Sequence, residues 1–316
     1  MTAYACSSWT LVPPPYNDRG DEVFATIARL GFDAVELPVL SPADAVAFAA
    51  DVPALRASAL RHGLSIARLA VFEPLSRGLL ASAAAAADGA AALVEVLDLA
   101  VAVGSPRITL RAPWPAGIKT PTLTPPEYFY INVPDMPGPG YDEADYQPDW
   151  RYETKFRIGV PDDVDWSAEF ERFTDRLAEV VEAAADRGLA VELENQYGTL
   201  VPHTDTLLRV FDRIPSPHLV ASLNVAQSFL QRELVPWSIR KLKGRVSHLR
   251  VADGDGLACY NLPPGSGTLD YTGIAEALAE IGFDGDVTCT WLNDIEAEQH
   301  LSSARGHLAT LFSRAP

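Results

Sequence analysis

Short apolar runs of strand period alternate eight times along this chain with longer stretches of helical period. The strand-like runs are Ala3 to Trp9, Phe32 to Leu37, Leu64 to Phe72, Arg107 to Arg111, Ala190 to Glu194, Leu219 to Leu223, Arg245 to Ala252 and Asp286 to Trp291. The helical stretches are Asp21 to Leu30, Pro42 to about His62, Leu79 to Val103, Trp166 to Arg187, Thr204 to Ile214, Val225 to Leu242, Tyr271 to Ile281 and Ile295 to Phe312. Gly31, Gly63 and Gly188 stand where a helix ends on a left-handed residue, and Ser41-Pro42 supplies an N-cap followed by a proline at the first helical position. Each right-handed crossover returns a parallel strand beside the last one, so eight such units predict a (β/α)8 barrel with residues 1–316 as one domain. An open doubly wound sheet uses the same units, but no GxGxxG turn follows the first strand.

Residues 112–165 break the rhythm between strand four and its helix, with a dense set of prolines and aromatics from Trp114 through Tyr128 and Tyr146 to Trp150. Disordered linkers are aromatic-poor, so this insertion reads as a lid or substrate wall, or as the contact of a homo-oligomer. No run of eighteen apolar residues or basic leader is present, which argues against a membrane partner and for a cytoplasmic protein. Cys6, Cys259 and Cys289 lack metal-type spacing and read as reduced core thiols. The formal net charge of -17 disfavours nucleic acid. The bias toward Arg and Ala suggests a GC-rich bacterial genome.

Chemistry concentrates at strand ends, which in such a barrel face the active-site mouth. In Arg245-Val-Ser-His-Leu-Arg-Val-Ala-Asp253, His248, Arg250 and Ala252 share one face and Asp253 opens the loop. Glu192 and Glu194 share a face of the fifth strand, with Glu194 as candidate base and Glu192 as a buried carboxylate held by a neighbour such as His248. Tyr197 and His203 follow on the mouth side, and Trp9, Phe72, Trp114 and Trp291 are candidate pocket walls. Gly265-Ser-Gly267 offers backbone amides to an anion but has no P-loop lysine.

Four stretches taken together, Leu30-Gly-Phe-Asp-Ala-Val-Glu-Leu37, Leu189-Ala-Val-Glu-Leu-Glu-Asn195, Ser247-His-Leu-Arg-Val-Ala-Asp253 and Ile281-Gly-Phe-Asp-Gly285, resemble the sugar phosphate isomerase/epimerase family of xylose isomerase-like barrels. The resemblance implies a TIM barrel and a divalent metal held by a Glu, an Asp, a His and a Glu on strands five to eight. Carried onto this sequence, the first position is Glu194, the second Asn224 of Asn-Val-Ala-Gln227, the third Arg250, and the fourth Thr290. The substrate-binding His of the family falls on Gln227, and Glu36 matches a family carboxylate ending strand two. A guanidinium does not lose its proton to become a ligand, and at ~4 Å with an effective dielectric near 20 it repels each unit of positive charge by ~4 kcal/mol. The expectation is therefore no metal and no other cofactor, with Arg250 in the cation's place beside Glu194.

The leading functional expectation is a metal-independent isomerase, epimerase or lyase that moves a proton next to a carbonyl on a small oxygenated substrate. Glu194 or His248 is the expected base and Arg250 the charge stabiliser. Asn224, Gln227, Asp253 and Glu36 are the polar substrate contacts. The alternatives are a non-catalytic binding or partner subunit with a degenerate site, and a metal-dependent sugar isomerase or epimerase with an unusual one.

Overall fold

Strand pairing runs parallel from each strand to the next and from the eighth back to the first, which closes the sheet. The strands are β1 (Ala3–Ser7), β2 (Ala34–Val39), β3 (Ser65–Val71), β4 (Arg107–Arg111), β5 (Ala190–Glu194), β6 (Leu219–Asn224), β7 (Val246–Val251) and β8 (Asp286–Cys289). The structure is a computed structural model, and it describes residues 3–12, 17–80, 86–115, 162–254, 262–290 and 296–314. The expected eight-stranded TIM barrel is the observed one, and most of the 112–165 insertion lies outside the described residues.

Around the barrel lie α1 (Asp21–Arg29), α2 (Pro42–Arg61), α3 (Glu73–Ser76), α4 (Ala86–Val103), α5 (Trp166–Ala185), α6 (Thr204–Arg213), α7 (Val225–Leu230), α8 (Val235–Lys241), α9 (Tyr271–Glu280) and α10 (Ala297–Arg314). Ser41 caps α2 by accepting from the Asp44 amide at 3.1 Å, and Gly31 and Gly63 take the left-handed backbone after α1 and α2. No helix among the described residues is long and apolar enough to cross a membrane.

Two of the boundaries that differ from the sequence reading have a clear physical reason. The helix expected over Val225 to Leu242 is broken into α7 and α8 around Arg232, which has φ 63°, and the adjacent Glu233 carboxylate accepts from the Thr204 amide at the start of α6. The strand expected to reach Trp9 stops at Ser7, and a 3-10 turn over Ser8–Thr10 follows. A run of apolar period reports burial, and burial continues past the point where ladder bonding ends.

The apolar core lies between sheet and helices. Outward strand residues such as Val35, Leu37, Leu69, Leu193, Leu223, Leu249 and Val287 join Phe24, Ile27, Phe48, Leu93, Leu97, Phe173, Leu177 and Ile274 in one buried cluster. Full burial of each such side chain contributes roughly 1.5–3 kcal/mol. The inward faces are different: three small residues, Ala5, Ala34 and Ala67, form a separate cluster, and above them the barrel is filled with charge.

The lower charged layer centres on Arg68, which is fully buried. Its Nε donates to Glu192 at 2.7 Å, its Nη1 to Thr288 Oγ1 at 2.7 Å, and its Nη2 to Asp286. Arg107 donates to the other Asp286 oxygen at 2.6 Å, while Thr109 and Ser247 donate to Glu192 at 2.9 and 3.0 Å. Two guanidiniums thus face two carboxylates, and the layer is formally neutral. Removing one partner of such a set leaves the others charged in a place that water does not reach. Arg68→Met is expected to lower unfolding stability by ~3–5 kcal/mol in urea titrations, whereas a loss below ~1 kcal/mol contradicts this account of the layer.

Candidate active site

Glu194, Asn224 and Arg250 end up together at the top of the barrel because β5, β6 and β7 are neighbours in register. Glu194 pairs with Ser222, and Asn224 pairs with Arg250. Arg250 is 2 % exposed and spans two carboxylates: its Nε donates to Glu194 Oε2 at 2.7 Å, and its Nη1 and Nη2 donate to the two oxygens of Glu36 at 2.9 and 2.6 Å. The end-on fork to Glu36 crosses the barrel from β7 to β2, so the guanidinium is fixed in plane and in depth.

The second oxygen of Glu194 is also occupied. Asn224 Nδ2 donates to Oε1 at 3.0 Å, and Arg111 Nε, at the end of β4, donates to the same atom at 3.0 Å. Burial alone would raise the Glu194 carboxyl, but Arg111 and Arg250 outweigh it and hold it below the ordinary carboxylate range. For Arg250, burial disfavours the charge, and Glu194 and Glu36 more than restore it. Two carboxylates and two guanidiniums again balance, as in the layer beneath.

Aromatic residues border this cluster. The Arg111 guanidinium lies 4.9 Å from the Phe72 ring centroid and 6.0 Å from that of Trp9. Trp9 and Phe72 pack at 4.5 Å, and Trp9 Nε1 donates to Thr290 Oγ1 at 2.8 Å. Trp114 packs on Gly198, where a Cβ would come within 2.2 Å of the indole, beside the half-buried Tyr197. Trp291 lies outside the described residues.

Several residues singled out from the sequence are placed elsewhere or given other work. Asp253 is buried and accepts from the amides of Gly254, Gly265 and Leu269 at 2.8, 2.9 and 3.1 Å, so it organises the loop that carries the Gly265-Ser-Gly267 turn and makes no bond to Arg250. His203 stands at the start of α6 with Nδ1 3.2 Å from Thr206 Oγ1. Asn224 caps α7 through its Oδ1, which accepts from the buried Gln227 amide at 3.2 Å.

His248 occupies the lower layer, with Nδ1 2.7 Å from Ser222 Oγ and Nε2 2.9 Å from Thr288 Oγ1. Its Nδ1 is 3.9 Å from Glu192, the neighbour expected from the sequence. Full burial, reinforced by Arg68, Arg250 and Arg107, pushes its pKa well below the usual 6.5 and keeps the ring neutral. Both nitrogens are engaged one layer below Glu194, so the ring does not reach the mouth. Face was correctly read for His248, but depth was not.

The sequence reading missed Arg111, Arg68 and Asn195. Asn195 Oδ1 accepts from the Asn224 amide at 2.8 Å and its Nδ2 donates to Ser228 at 3.0 Å, which joins the ends of β5 and β6. Arg111 carried a readable signal, because it ends a strand and shares parity with Thr109 in the run Arg107 to Arg111.

A divalent cation does not fit the four positions that the family resemblance assigns to its ligands. Arg250 brings a positive charge, Asn224 Oδ1 is turned to the Gln227 amide, and Thr290 accepts from Trp9. Among the described residues no group of three or more His, Cys, Asp or Glu side chains is arranged to hold a metal ion.

A family model described as xylose isomerase-like TIM barrel matches residues 24–311. The chain belongs to the xylose isomerase-like TIM barrel family. Among relatives of known activity, it is 26% identical over 132 residues to the fructoselysine 3-epimerase of Escherichia coli O157:H7, a match that covers 41% of this chain and 46% of that protein. Solved structures of similar fold include the E. coli 3-keto-D-glucoside 4-epimerase, with TM-score 0.71, 15% identity, and 98% of this chain and 100% of that one covered. An L-ribulose 3-epimerase aligns with TM-score 0.70 and 17% identity over 99% of this chain and 95% of that one. These identities carry the fold.

The depth of His248 has a measurable consequence. Its folded pKa lies below the unfolded value, so below about pH 6.5 the unfolded chain binds a proton that the native state refuses, and stability falls with pH by up to ~1.4 kcal/mol per unit. His248→Gln is expected to flatten that part of the stability profile, measured by urea unfolding between about pH 5 and 7. An unchanged slope means that the ring is protonated in the folded protein.

Proposed function

We propose that this barrel is a metal-independent enzyme that moves a proton next to a carbonyl, as an isomerase, epimerase or lyase acting on a small oxygenated substrate. The observation that carries the reading is the Arg250 guanidinium between Glu36 and Glu194, a fixed positive charge where its relatives' chemistry would be centred.

In this reading Glu194 is the base. Its lowered pKa keeps it ionised, and it removes a proton from the carbon beside the carbonyl. The C–H electron pair becomes the enolate π bond, and the carbonyl oxygen takes the negative charge. As Glu194 becomes neutral, charge moves from its carboxylate to the enolate oxygen, and the same guanidiniums that stabilised the first stabilise the second. Protonation of the enolate from the opposite face by water gives an epimer, return of the Glu194 proton to the neighbouring carbon after enediol formation gives an isomer, and expulsion of a β-hydroxyl that takes the Glu194 proton and leaves as water gives a lyase product. Arg250 contributes chiefly as a charge held in place, because each of its three nitrogens already donates to a carboxylate. Fixed dipoles and charges of this kind cost no reorganisation during the reaction.

A second reading is supported by the closure of the cluster, since both oxygens of Glu194 are bonded and the residue is buried. On that reading the barrel is a binding or partner subunit without turnover. Deuterium incorporation beside the carbonyl of ketoses and keto acids, followed by NMR after exhaustive chelation, separates the two. Exchange is expected to survive chelation, and Glu194→Gln is expected to lower it by about 10²–10⁴-fold. Exchange that appears only on adding a divalent metal, or that persists undiminished in Arg250→Met, overturns the proposal. Absence of exchange together with elution only alongside another protein supports the second reading.

A further inference from the structure

Arg111 differs from the other three charged residues of the upper layer in one respect. The side chains of Glu36, Glu194 and Arg250 are at most 2 % exposed, whereas that of Arg111 is 16 % exposed. Its Nε is held by Glu194 at 3.0 Å, and its guanidinium lies beside the rings of Phe72 and Trp9. Trp9 is itself fixed by its bond to Thr290. With Nε anchored and aromatic rings alongside, the remaining hydrogen-bonding edge is the one that carries Nη1 and Nη2. Among the described residues nothing accepts from either of these nitrogens.

We propose that this edge grips the carboxylate of the substrate, so that the barrel takes a sugar acid or another small hydroxy-keto acid in preference to a neutral sugar. The proposal deepens the proton-transfer reading above and rests on it for the position of the substrate beside Glu194. Two parallel N–H groups in one plane match a carboxylate, whose two oxygens accept both at once. A phosphate dianion calls for more positive charge than one open fork, and Arg250, the nearest further cation, is committed to Glu36 and Glu194. The overall charge of -17 repels anions at long range, so recognition of an acid by this protein has to be local. The same residue links binding to chemistry: Nε stays on the Glu194 oxygen that it shares with Asn224 while the Nη1 and Nη2 edge holds the acid, so the substrate is set beside the base.

Calorimetric titration of the intact protein with D-glucuronate, D-glucose and D-glucose 6-phosphate tests this without requiring turnover. The acid is expected to bind at least about tenfold more tightly than the parent sugar, the ratio that one charge-assisted hydrogen bond carries. Arg111→Gln is expected to erase the preference, and Arg111→Lys to keep part of it, because the charge remains while the planar fork is lost. Circular dichroism of both variants shows whether the fold is intact. The inference is overturned if the wild type shows no preference for the acid, if the preference survives Arg111→Gln in a folded variant, or if the phosphate ester is preferred. Selective binding of the acid without deuterium exchange leaves this inference standing and removes the proton-transfer reading. Deuterium exchange on neutral ketoses by a wild type that shows no preference for the acid does the reverse.

Discussion

Arg250 lies almost without solvent between Glu36 and Glu194, and the organisation of the barrel's upper half depends on that contact. A guanidinium placed there alone would cost several kcal/mol of lost hydration, and so would either carboxylate. Together they are tolerable because the fork to Glu36 is bidentate and because Glu194 receives further donors from Asn224 and Arg111. The cost of charge burial therefore dictates the company each residue keeps. It also explains why the layer below repeats the arrangement, with Arg68 and Arg107 set against Glu192 and Asp286. Within that lower layer Glu192 is satisfied by Arg68, Thr109 and Ser247.

Much of the architecture was legible in the sequence, for reasons that can be named. Strand parity put His248 and Arg250 on one face and Glu192 and Glu194 on another, and the register of β5, β6 and β7 then made Glu194, Asn224 and Arg250 neighbours. Period and glycine position located the helices because both reflect local backbone physics, which a single chain displays without knowledge of its neighbours. The pairing of Glu194 with Arg250 was expected from the family resemblance, which put both at positions of one metal site, and β6 between their strands leaves them within reach.

What was not legible has an equally specific cause. Parity gives the face of a strand residue but not its depth along the barrel axis, and depth is set by the stagger between strands. The β6–β7 register slips between Ala221 and Ser222, so that Ser222 meets His248 two residues beyond the Ala221–Val246 pair. A second shift between β2 and β3 seats Arg68 opposite Glu36. Such shifts leave no mark in period or composition. Arg68 is unreadable for a further reason: its partners Glu192 and Asp286 are 124 and 218 residues away, and an arginine in a strand run ordinarily signals an exposed edge. Asp253 was expected to contact substrate or hold Arg250, and the loop amides that it satisfies, up to 16 residues further on, leave no mark in the strand pattern.

A guanidinium at the centre of a barrel and a divalent ion there differ in the kind of recognition that each can give. A divalent ion offers open coordination positions that accept almost any oxygen, neutral or charged, and it tolerates several substrate poses. A guanidinium offers a fixed plane, one unit of charge and directional donors. In this protein the central one has all three nitrogens engaged by Glu36 and Glu194, which fixes its plane and its charge. Arg111, held edge-on by Glu194 and bordered by Trp9 and Phe72, is the rim group with donors in reserve. On the proposed reading, charge and grip, which a metal combines in one atom, fall to two arginines on strands that lie on opposite sides of β5 and β6. That separation ties the protonation chemistry of Glu194 to whatever occupies Arg111.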